Sequence, residues 1–287
     1  MRLIGFLFWL LAFAASPALA EASPGLQFLE ARLSSLSNSS PGNIGIAALD
    51  LRTGELVSVY GDEPFPMAST VKVAIAANYL AQVEHGRRTL NDRIAGTSAA
   101  ALMDAMLIHS DNRATDLLLR NLGGPTMVQA WLDQNTLTGI RIDRSIARLL
   151  ADPRNLRDLR DSSTPKAMVS LLQRIDSGKL LQPRSRSYLL EIMGRCATGR
   201  NRMRALLPAG TRVEHKTGTL SGYTSDVGFI TLPDGRRLAV AFFARAGANR
   251  PRTIAEAARA VYDGFVNAFR APFAPAYGAS AAVYGTQ

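Results

Sequence analysis

The spacing of apolar residues divides the chain into helical and extended regions. Leucines at helical intervals over 26–36 predict a first helix. Two runs rich in Ile, Val and Leu, 43–50 and 55–60, surround Arg52-Thr53-Gly54 and predict a β-hairpin. From residue 69 to about 194 the pattern is helical with polar breaks. The clearest helical segments are 71–83, 99–109, 114–122, 126–133 and 166–177.

The strand pattern returns near the C-terminus. Residues 212–216, 226–232 and 237–245 are predicted strands, with a turn at Pro233-Asp234-Gly235. An amphipathic pattern over 252–269 predicts a final helix.

Two strands near one end of the chain and three near the other predict a single sheet built from both ends. We therefore expect an α+β fold, in which an antiparallel five-stranded sheet is flanked by helices and an all-helical subdomain is inserted in the middle. The sheet subdomain is expected over about 25–66 and 195–270, and the helical subdomain over about 67–194.

The first twenty residues have the pattern of a secretory signal peptide. Arg2 provides the positive start, residues 3–15 the apolar core, and Ala18-Leu19-Ala20 a small-x-small cleavage site. The apolar core is short for a membrane span. We expect cleavage after Ala20 and a periplasmic or secreted protein without a stable membrane anchor. The small, Ala- and Gly-rich tail at 271–287 is expected to be disordered.

The chain is basic, with 33 Lys and Arg, 23 Asp and Glu, and a formal net charge of +10. The basic residues are spread along the chain, which argues against a nucleic-acid partner. Four of them are lysines: Lys72, Lys166, Lys179 and Lys216. Arginine does not readily act as a base, so the lysines are the better candidates for proton transfer.

The sequence argues against metal and thiol chemistry. His85, His109 and His215 lack metal-ligand spacing, so we expect neither a metal nor another cofactor. The single cysteine, Cys196, cannot form an intramolecular disulfide. We expect it to be a buried free thiol without a redox or nucleophilic role.

Candidate chemistry begins at Ser69-Thr70-Val71-Lys72. Residues three apart share a helix face, so the Lys72 amine can approach the Ser69 hydroxyl and activate it as a nucleophile. Prolines at 64 and 66 disfavour helix just before them, which places Ser69 near a helix N-terminus. The pattern alone equally fits an N-cap followed by a surface lysine.

Two further segments lie at informative places. Ser110-Asp111-Asn112 interrupts two helical runs, so its side chains can project into a cleft. Lys216-Thr217-Gly218, followed by Thr219, closes a predicted strand. Taken singly, the first is usually a turn or an N-cap and the second the end of an ordinary strand.

In this order, the three motifs resemble those of the class A β-lactamases and, more broadly, the penicillin-recognising serine hydrolases. The segments 65–70 (FPMAST), 108–112 (IHSDN) and 160–165 (RDSSTP) extend the resemblance. The segment 215–220 (HKTGTL) is similar to a less-studied branch of related serine hydrolases. The resemblance implies one catalytic domain over residues 21–270.

The resemblance implies four catalytic residues. Ser69 would be the nucleophile and Lys72 the base that takes its proton. Ser110, helped by Lys216, would relay that proton to the departing nitrogen.

It also implies the substrate-binding groups. Asn112 would hydrogen-bond the side-chain amide of the substrate, and the Thr217 hydroxyl its carboxylate. Gly218 would allow the strand edge to approach the substrate closely. The backbone N–H groups of Ser69 and Thr219 would form the oxyanion hole, in which each donor lowers the barrier by about 3–4 kcal/mol.

The chain departs from the family at the Ω-loop. Class A β-lactamases carry a loop glutamate that activates the deacylating water. Counting back from the end of the loop reaches Arg148, and counting from its start reaches Ile146. No glutamate occurs between Glu84 and Glu191. A water without a positioned base reacts about 10²–10⁴-fold more slowly.

Other loop residues have structural interpretations. Arg144 and Asp161 can pair across the neck of the loop. We interpret Asp152 as a structural aspartate before Pro153 in preference to a substitute base, and Asp158 is a weaker candidate for that base.

The partner of the substrate carboxylate stays open. Some family members have an arginine where this chain has Asp226, and Arg245, Arg250 and Arg252 are all possible replacements. Glu214 and His215 either flank the cleft or form an ordinary exposed strand end, and we favour the second.

Three functions follow. The first is an exported serine hydrolase of the class A β-lactamase type, slow in deacylation. The second is a D-alanyl-D-alanine peptidase or an esterase, and the third a penicillin-binding protein that stays acylated. The expected partner is a small β-lactam or D-Ala-D-Ala-like molecule, and we expect a monomer.

Overall fold

The computed structural model describes residues 24–39, 43–153 and 155–268. The predicted signal peptide and the predicted disordered tail lie outside these residues. The helices are α1 (Pro24–Ser39), α2 (Lys72–Glu84), α3 (Ala99–Ile108), α4 (Asn112–Asn121), α5 (Pro125–Gln134), α6 (Ile146–Ala151), α7 (Pro165–Asp176), α8 (Pro183–Gly194) and α9 (Arg250–Ala268). The strands are β1 (Asn43–Asp50), β2 (Leu56–Val59), β3 (Phe65–Pro66), β4 (Arg93–Ile94), β5 (Thr97–Ser98), β6 (Ser162–Ser163), β7 (Val213–Leu220), β8 (Tyr223–Thr231) and β9 (Arg237–Arg245).

Five strands form one antiparallel sheet in the order β2-β1-β9-β8-β7. β1 and β2 come from the N-terminal end of the chain and β7 to β9 from the C-terminal end. This arrangement confirms the predicted α+β fold and its five-stranded antiparallel sheet. β7 is an edge strand, so its outer side is available to other parts of the chain or to a ligand.

Helices cover both faces of the sheet. Neighbouring residues of a strand point to opposite sides, and in β9 the residues on both sides are apolar, so both faces need a covering layer. Phe242 belongs to the apolar cluster that also holds Leu26 of α1 and Phe265 of α9. Phe243, the next residue, belongs to the cluster on the other face with Tyr79 of α2. Among the described residues, no helix is both long and apolar enough to cross a membrane.

The β7–β8 hairpin is longer than the sequence predicts. Leu220 pairs with Tyr223, which leaves only Ser221 and Gly222 in the turn, and Gly222 has a φ of +75°. Most residues at 217–226 are polar although many are buried, so no alternation of apolar and polar residues marks the strands there. The prediction that Lys216-Thr217-Gly218 closes a strand is therefore wrong, since these residues lie inside β7.

The segment before Ser69 is tied to the rest of the fold. β3 pairs with β6, and the Met67 N–H donates to the Asp161 carbonyl oxygen at 2.9 Å. Phe65 packs on Phe243 with ring centroids 6.1 Å apart. These contacts fix the start of α2 against the sheet.

Candidate active site

Ser69 lies in a 3-10 helix that leads directly into α2. That helix spans Ala68–Val71 and packs against β7, so Ser69 precedes the first turn of α2. Ala68 has a φ of +50°, in the left-handed region that residues other than glycine seldom adopt. Such strain clusters at functional sites. Ser69 itself is half-buried.

The Lys72 side chain is buried and reaches the connection between α3 and α4. Its Nζ donates hydrogen bonds to the Ser110 carbonyl oxygen at 2.7 Å, to Ser110 Oγ at 3.1 Å and to Asn112 Oδ1 at 2.9 Å. Burial, together with the positive charge of Lys216, lowers the pKa of Lys72 to about 7. A lysine with this pKa is partly neutral at neutral pH and can accept a proton.

Ser110 bridges the two lysines of the site. Its Oγ accepts hydrogen bonds from Lys72 Nζ at 3.1 Å and from Lys216 Nζ at 2.9 Å. Its φ of +60° is again in the left-handed region. Asp111 is the N-cap of α4, with its Oδ1 accepting from the Ala114 N–H at 2.6 Å. The Ser-Asp-Asn motif thus contains an ordinary helix cap as well as a bridging hydroxyl.

Lys216 is buried in β7 and remains mainly cationic. Its Nζ donates to Ser110 Oγ and to the Thr217 carbonyl oxygen, each at 2.9 Å. Burial lowers its pKa to about 8. The site therefore places a candidate base and a persistent positive charge around one hydroxyl.

Gly218 allows β7 to approach the segment that carries Ser69. A Cβ at this position would lie 2.4 Å from Ser225 Oγ, 2.7 Å from the Met67 carbonyl oxygen and 3.1 Å from Ala68 Cβ. A side chain would push the edge strand away from the 3-10 helix. The close approach predicted for Gly218 thus involves the chain itself.

Arg202, which the sequence reasoning missed, lies beside Thr219. Its Nη1 donates to the carbonyl oxygens of Gly218 and Ser225, each at 3.0 Å, and its Nη2 donates to Thr219 Oγ1 at 2.6 Å. It comes from the irregular segment between α8 and β7, where no motif or spacing marks it. Only the contact with β7 identifies it as part of the site.

The three arginines considered above as partners of the substrate carboxylate all bind other groups of the chain. Arg245 lies over the Phe65 ring and pairs with Glu63. Arg250 donates to the Gly247 carbonyl oxygen. Arg252 pairs with Glu256 at 2.7 Å on the surface of α9. Arg202 is therefore the arginine that the structure brings to this part of β7.

The Ω-loop is closed by a cluster of ion pairs around Arg144. Its guanidinium lies 2.5 Å from Asp161, 3.0 Å from Asp152 and 3.3 Å from Asp158. The predicted Arg144–Asp161 pair is confirmed. The remaining loop carboxylate, Asp143, pairs with Arg141 at 2.7 Å. In the described part of the loop (143–153 and 155–161), every carboxylate thus has an arginine partner.

Neither position aligned with the family glutamate offers a base. Ile146 is buried, and Arg148 is exposed and pairs with Asp152 at 2.8 Å. A hydrogen bond from Arg160 outweighs the other effects on Asp158 and lowers its pKa to about 2. Such a carboxylate is a weak base at neutral pH. The contacts of Asp152 support its structural interpretation.

The prediction of an exposed strand end at Glu214 and His215 is wrong. Both side chains are buried, because β8 pairs with β7 on one side and α8 packs against it. Glu214 lies 2.5 Å from Arg212 and 3.2 Å from Arg237. In the described chain, no group of three or more His, Cys, Asp or Glu side chains could hold a metal ion.

The chain is similar to known β-lactamases in sequence and in fold. The family model described as "Beta-lactamase enzyme family" matches residues 28–265. The chain is 32% identical over 249 residues to the carbapenem-hydrolysing β-lactamase KPC of Klebsiella oxytoca, covering 78% of this chain and 84% of KPC. It is 28% identical over 275 residues to the extended-spectrum β-lactamase PER-1 of Pseudomonas aeruginosa, covering 84% and 89%. A solved ancestral class A β-lactamase, named for the last common ancestor of Gram-negative bacteria, superposes with a TM-score of 0.79 at 34% identity, covering 83% of this chain and all of that one.

Proposed function

This chain belongs to the β-lactamase enzyme family, as a class A-type serine hydrolase of β-lactams, and we propose that it opens the ring through an acyl-enzyme on Ser69. The observation that carries the proposal is the Ser110 hydroxyl held between Lys72 and Lys216. Neutral Lys72 would take the Ser69 proton while the serine oxygen attacks the ring carbonyl. The backbone N–H groups of Ser69 and Thr219 would stabilise the oxyanion.

Ring opening requires a proton for the departing nitrogen, and Ser110 can supply it. The Ser110 oxygen accepts from both amines, so its own proton can be donated to the substrate. Lys72 would then return the proton taken from Ser69. The positive charge of Lys216 favours the negatively charged forms that arise along this path.

Four side chains on or beside β7 suit a carboxylate. Lys216 and Arg202 supply positive charge, and the hydroxyls of Thr217 and Thr219 supply hydrogen-bond donors. Across the cleft, the Asn112 Oδ1 already accepts from Lys72. Its amide N–H groups can therefore donate to a carbonyl of the substrate side chain.

Deacylation is proposed to be slow. The described carboxylates of the Ω-loop are all held in ion pairs, so none is available to activate a water. Without such a base, the rate of the hydrolytic step falls by about 10²–10⁴-fold. The acyl-enzyme should therefore accumulate.

The test is a reaction of the purified mature protein with a chromogenic cephalosporin, followed by absorbance and by intact mass. Several turnovers per molecule, with an adduct on Ser69 during turnover, would support the proposal. Ser69→Ala should show neither. A stable adduct without turnover would instead favour the protein that stays acylated. Cleavage of a D-alanyl-D-alanine peptide or an ester, without reaction of the cephalosporin, would favour the peptidase or esterase.

We further propose export with cleavage after Ala20 and a monomeric mature enzyme that needs no metal or cofactor. The N-terminal sequence pattern supports export. An intact mass of the periplasmic protein that begins at Glu21 would bear this out. Size-exclusion chromatography with light scattering tests the monomer, and undiminished turnover in a chelator tests the absence of a metal.

A further inference from the structure

Cys196, the only cysteine of the chain, is a buried free thiol. It follows the end of α8, and the next residue is tied to α3 by a hydrogen bond from the Ala197 N–H to the Ile108 carbonyl oxygen at 3.0 Å. The residue is 7% exposed. The mechanism proposed above makes no use of it.

Beside Cys196, a buried histidine is held by a buried carboxylate. His215 Nδ1 lies 2.7 Å from Asp226 Oδ1, and neither side chain is exposed to solvent. Asp226 Oδ2 also accepts from the Met203 N–H at 3.2 Å. These contacts fix the imidazole plane and direct its other nitrogen away from Asp226. The residue that stands where some relatives have an arginine thus positions a histidine.

The second ring nitrogen, His215 Nε2, is buried without a hydrogen-bond partner among the described residues. The Cys196 thiol is near enough to this ring for each group to shift the pKa of the other. Burial alone would raise the pKa of the thiol, but the imidazole outweighs burial and lowers it to about 7. Burial would lower the pKa of His215, but Asp226 outweighs burial and raises it to about 9. Asp226, His215 and Cys196 therefore have the order of a carboxylate, an imidazole and an activated thiol.

The thiol is also connected to the candidate carboxylate site. Cys196 Sγ lies 3.4 Å from Thr198 Oγ1, which lies 2.6 Å from Thr217 Oγ1. Any group attached to the sulfur must displace or reorient the Thr198 hydroxyl. Thr217 would then lose its hydrogen-bond partner, and its own hydroxyl would be free to turn from the substrate.

We propose that Cys196 is a modification site, a thiol activated by His215 and Asp226 that takes small soft electrophiles, and that its modification weakens the binding of a substrate carboxylate at Thr217. The thiol reactivity stands on the buried cluster alone. The effect on binding rests on the function proposed above.

A thiosulfonate is a suitable electrophile for this thiol. In the reactive form His215 is protonated, the thiol has lost its proton to solvent, and the sulfur is a thiolate. The thiolate attacks the sulfenyl sulfur of S-methyl methanethiosulfonate, a new S–S bond forms, and the S–SO₂ bond breaks. Methanesulfinate leaves with the electron pair, and Cys196 becomes a mixed methyl disulfide.

The first measurement is the rate of labelling of the folded mature protein by S-methyl methanethiosulfonate, read by intact mass. We expect one label, and a rate that rises with pH about a midpoint near 7 instead of the value of about 8.5 for an ordinary thiol. Besides His215, the charged groups that act on the thiol or sense its charge are Lys216 and Arg202. Asp226 acts on His215. His215→Gln should slow labelling about tenfold at neutral pH, and Cys196→Ser should not be labelled.

Two outcomes would overturn the activated thiol. One is a folded wild-type protein that takes the label only after unfolding. The other is labelling of the wild-type protein with a pH midpoint of about 8.5, the value of an ordinary thiol. This result would refute the activation of Cys196 even if His215→Gln does not fold. Neither result depends on β-lactam turnover, so both are distinguishable from a failure of the proposed function.

The second measurement compares KM before and after labelling, for a cephalosporin that carries its carboxylate and for the corresponding methyl ester. We expect labelling to raise KM for the acid about tenfold, to leave the ester within about twofold, and to be reversed by dithiothreitol. The KM of Cys196→Ser should not respond to the reagent. Complete labelling with an unchanged KM for the acid would refute the link to Thr217.

Discussion

At the scale of single residues, the proposed mechanism depends on two neighbouring amines whose pKa values differ. Ser110 Oγ touches both Lys72 and Lys216, so the two positive charges lie close together. Burial and the charge of Lys216 lower the pKa of Lys72 to about 7, and burial lowers the pKa of Lys216 to about 8. Between these values the site has a neutral base and a charged partner at the same time. The working state is therefore confined to a narrow pH range.

The rate of acylation should follow this range. It should rise with pH as Lys72 loses its proton near 7 and fall again as Lys216 loses its proton near 8. Stopped-flow acylation in single turnover, across both values, measures the profile. Lys72→Arg cannot provide a neutral base and should lose most of the rate at every pH. A rate that stays the same from well below the pKa of Lys72 to well above the pKa of Lys216 would contradict the assignment of Lys72 as the base.

Arg202 is expected to set the affinity for the substrate carboxylate. Arg202→Ala should raise KM about 10–100-fold, because a hydrogen bond to a charged group contributes about 1.5–3 kcal/mol. Arg202→Lys should restore part of the loss. The matched control is Arg252→Ala, since Arg252 pairs only with Glu256 on the surface. Steady-state kinetics with the same cephalosporin would contradict the assignment if both alanine variants behaved alike.

At the scale of elements, the neck of the Ω-loop is bonded to the segment that carries Ser69, the proposed nucleophile. Asp161 accepts from the N–H groups of Asp143 at 2.8 Å and Arg144 at 2.9 Å, and its own carbonyl oxygen accepts from Met67. The loop neck is thus joined to the residue two positions before Ser69. Loss of the neck should disturb both stability and acylation.

Asp161→Asn tests this coupling. It leaves Arg144 with two of its three carboxylate partners, so we expect a loss of about 2–3 kcal/mol in the free energy of unfolding together with slower acylation. Asp158→Asn is the control, because its main partner, Arg160, is half exposed. That variant should lose less than about 1 kcal/mol. Urea denaturation and single-turnover acylation would count against the coupling if Asp161→Asn matched the control in both.

Elements could be predicted from the sequence where the signal is local. In β1 and β9 most residues are buried, so an apolar run marks each strand. The apolar spacing after Ser69 likewise marks a helix, because these signals come from residues close together in the sequence. The tight hairpin between β7 and β8 could not be predicted, because its residues are mostly polar and show no apolar alternation. Arg202 could not be predicted, since its place depends on an irregular segment folding back against β7. The buried His215–Asp226 pair could not be predicted either, because only the pairing of β7 with β8 brings the two residues together.

At the scale of the whole molecule, one buried arginine joins the two ends of the chain. The Arg236 guanidinium lies 2.7 Å from Asp50 of β1, 2.6 Å from Asp234 and 2.9 Å from the Phe265 carbonyl oxygen of α9. Both Arg236 and Asp50 are buried. Strand β9 lies between β1 and β8, so the sheet that contains β7 is built from both parts of the chain. The ion pair between Asp50 and Arg236 lies at that junction.

Arg236→Ala should therefore destabilise the whole molecule while leaving the chemistry of the folded fraction intact. It leaves Asp50 buried without its guanidinium, and breaking a buried pair in this way costs about 3–5 kcal/mol. Arg52→Ala is the matched control, because Arg52 is exposed and reaches Asp234 only at 3.4 Å, so it should cost less than about 1 kcal/mol. The midpoint of urea denaturation gives the stability, and titration of Ser69 by acylation gives the folded fraction. A selective fall in turnover per titrated site, with unchanged stability, would show that this junction acts on the site and does not hold the two ends together.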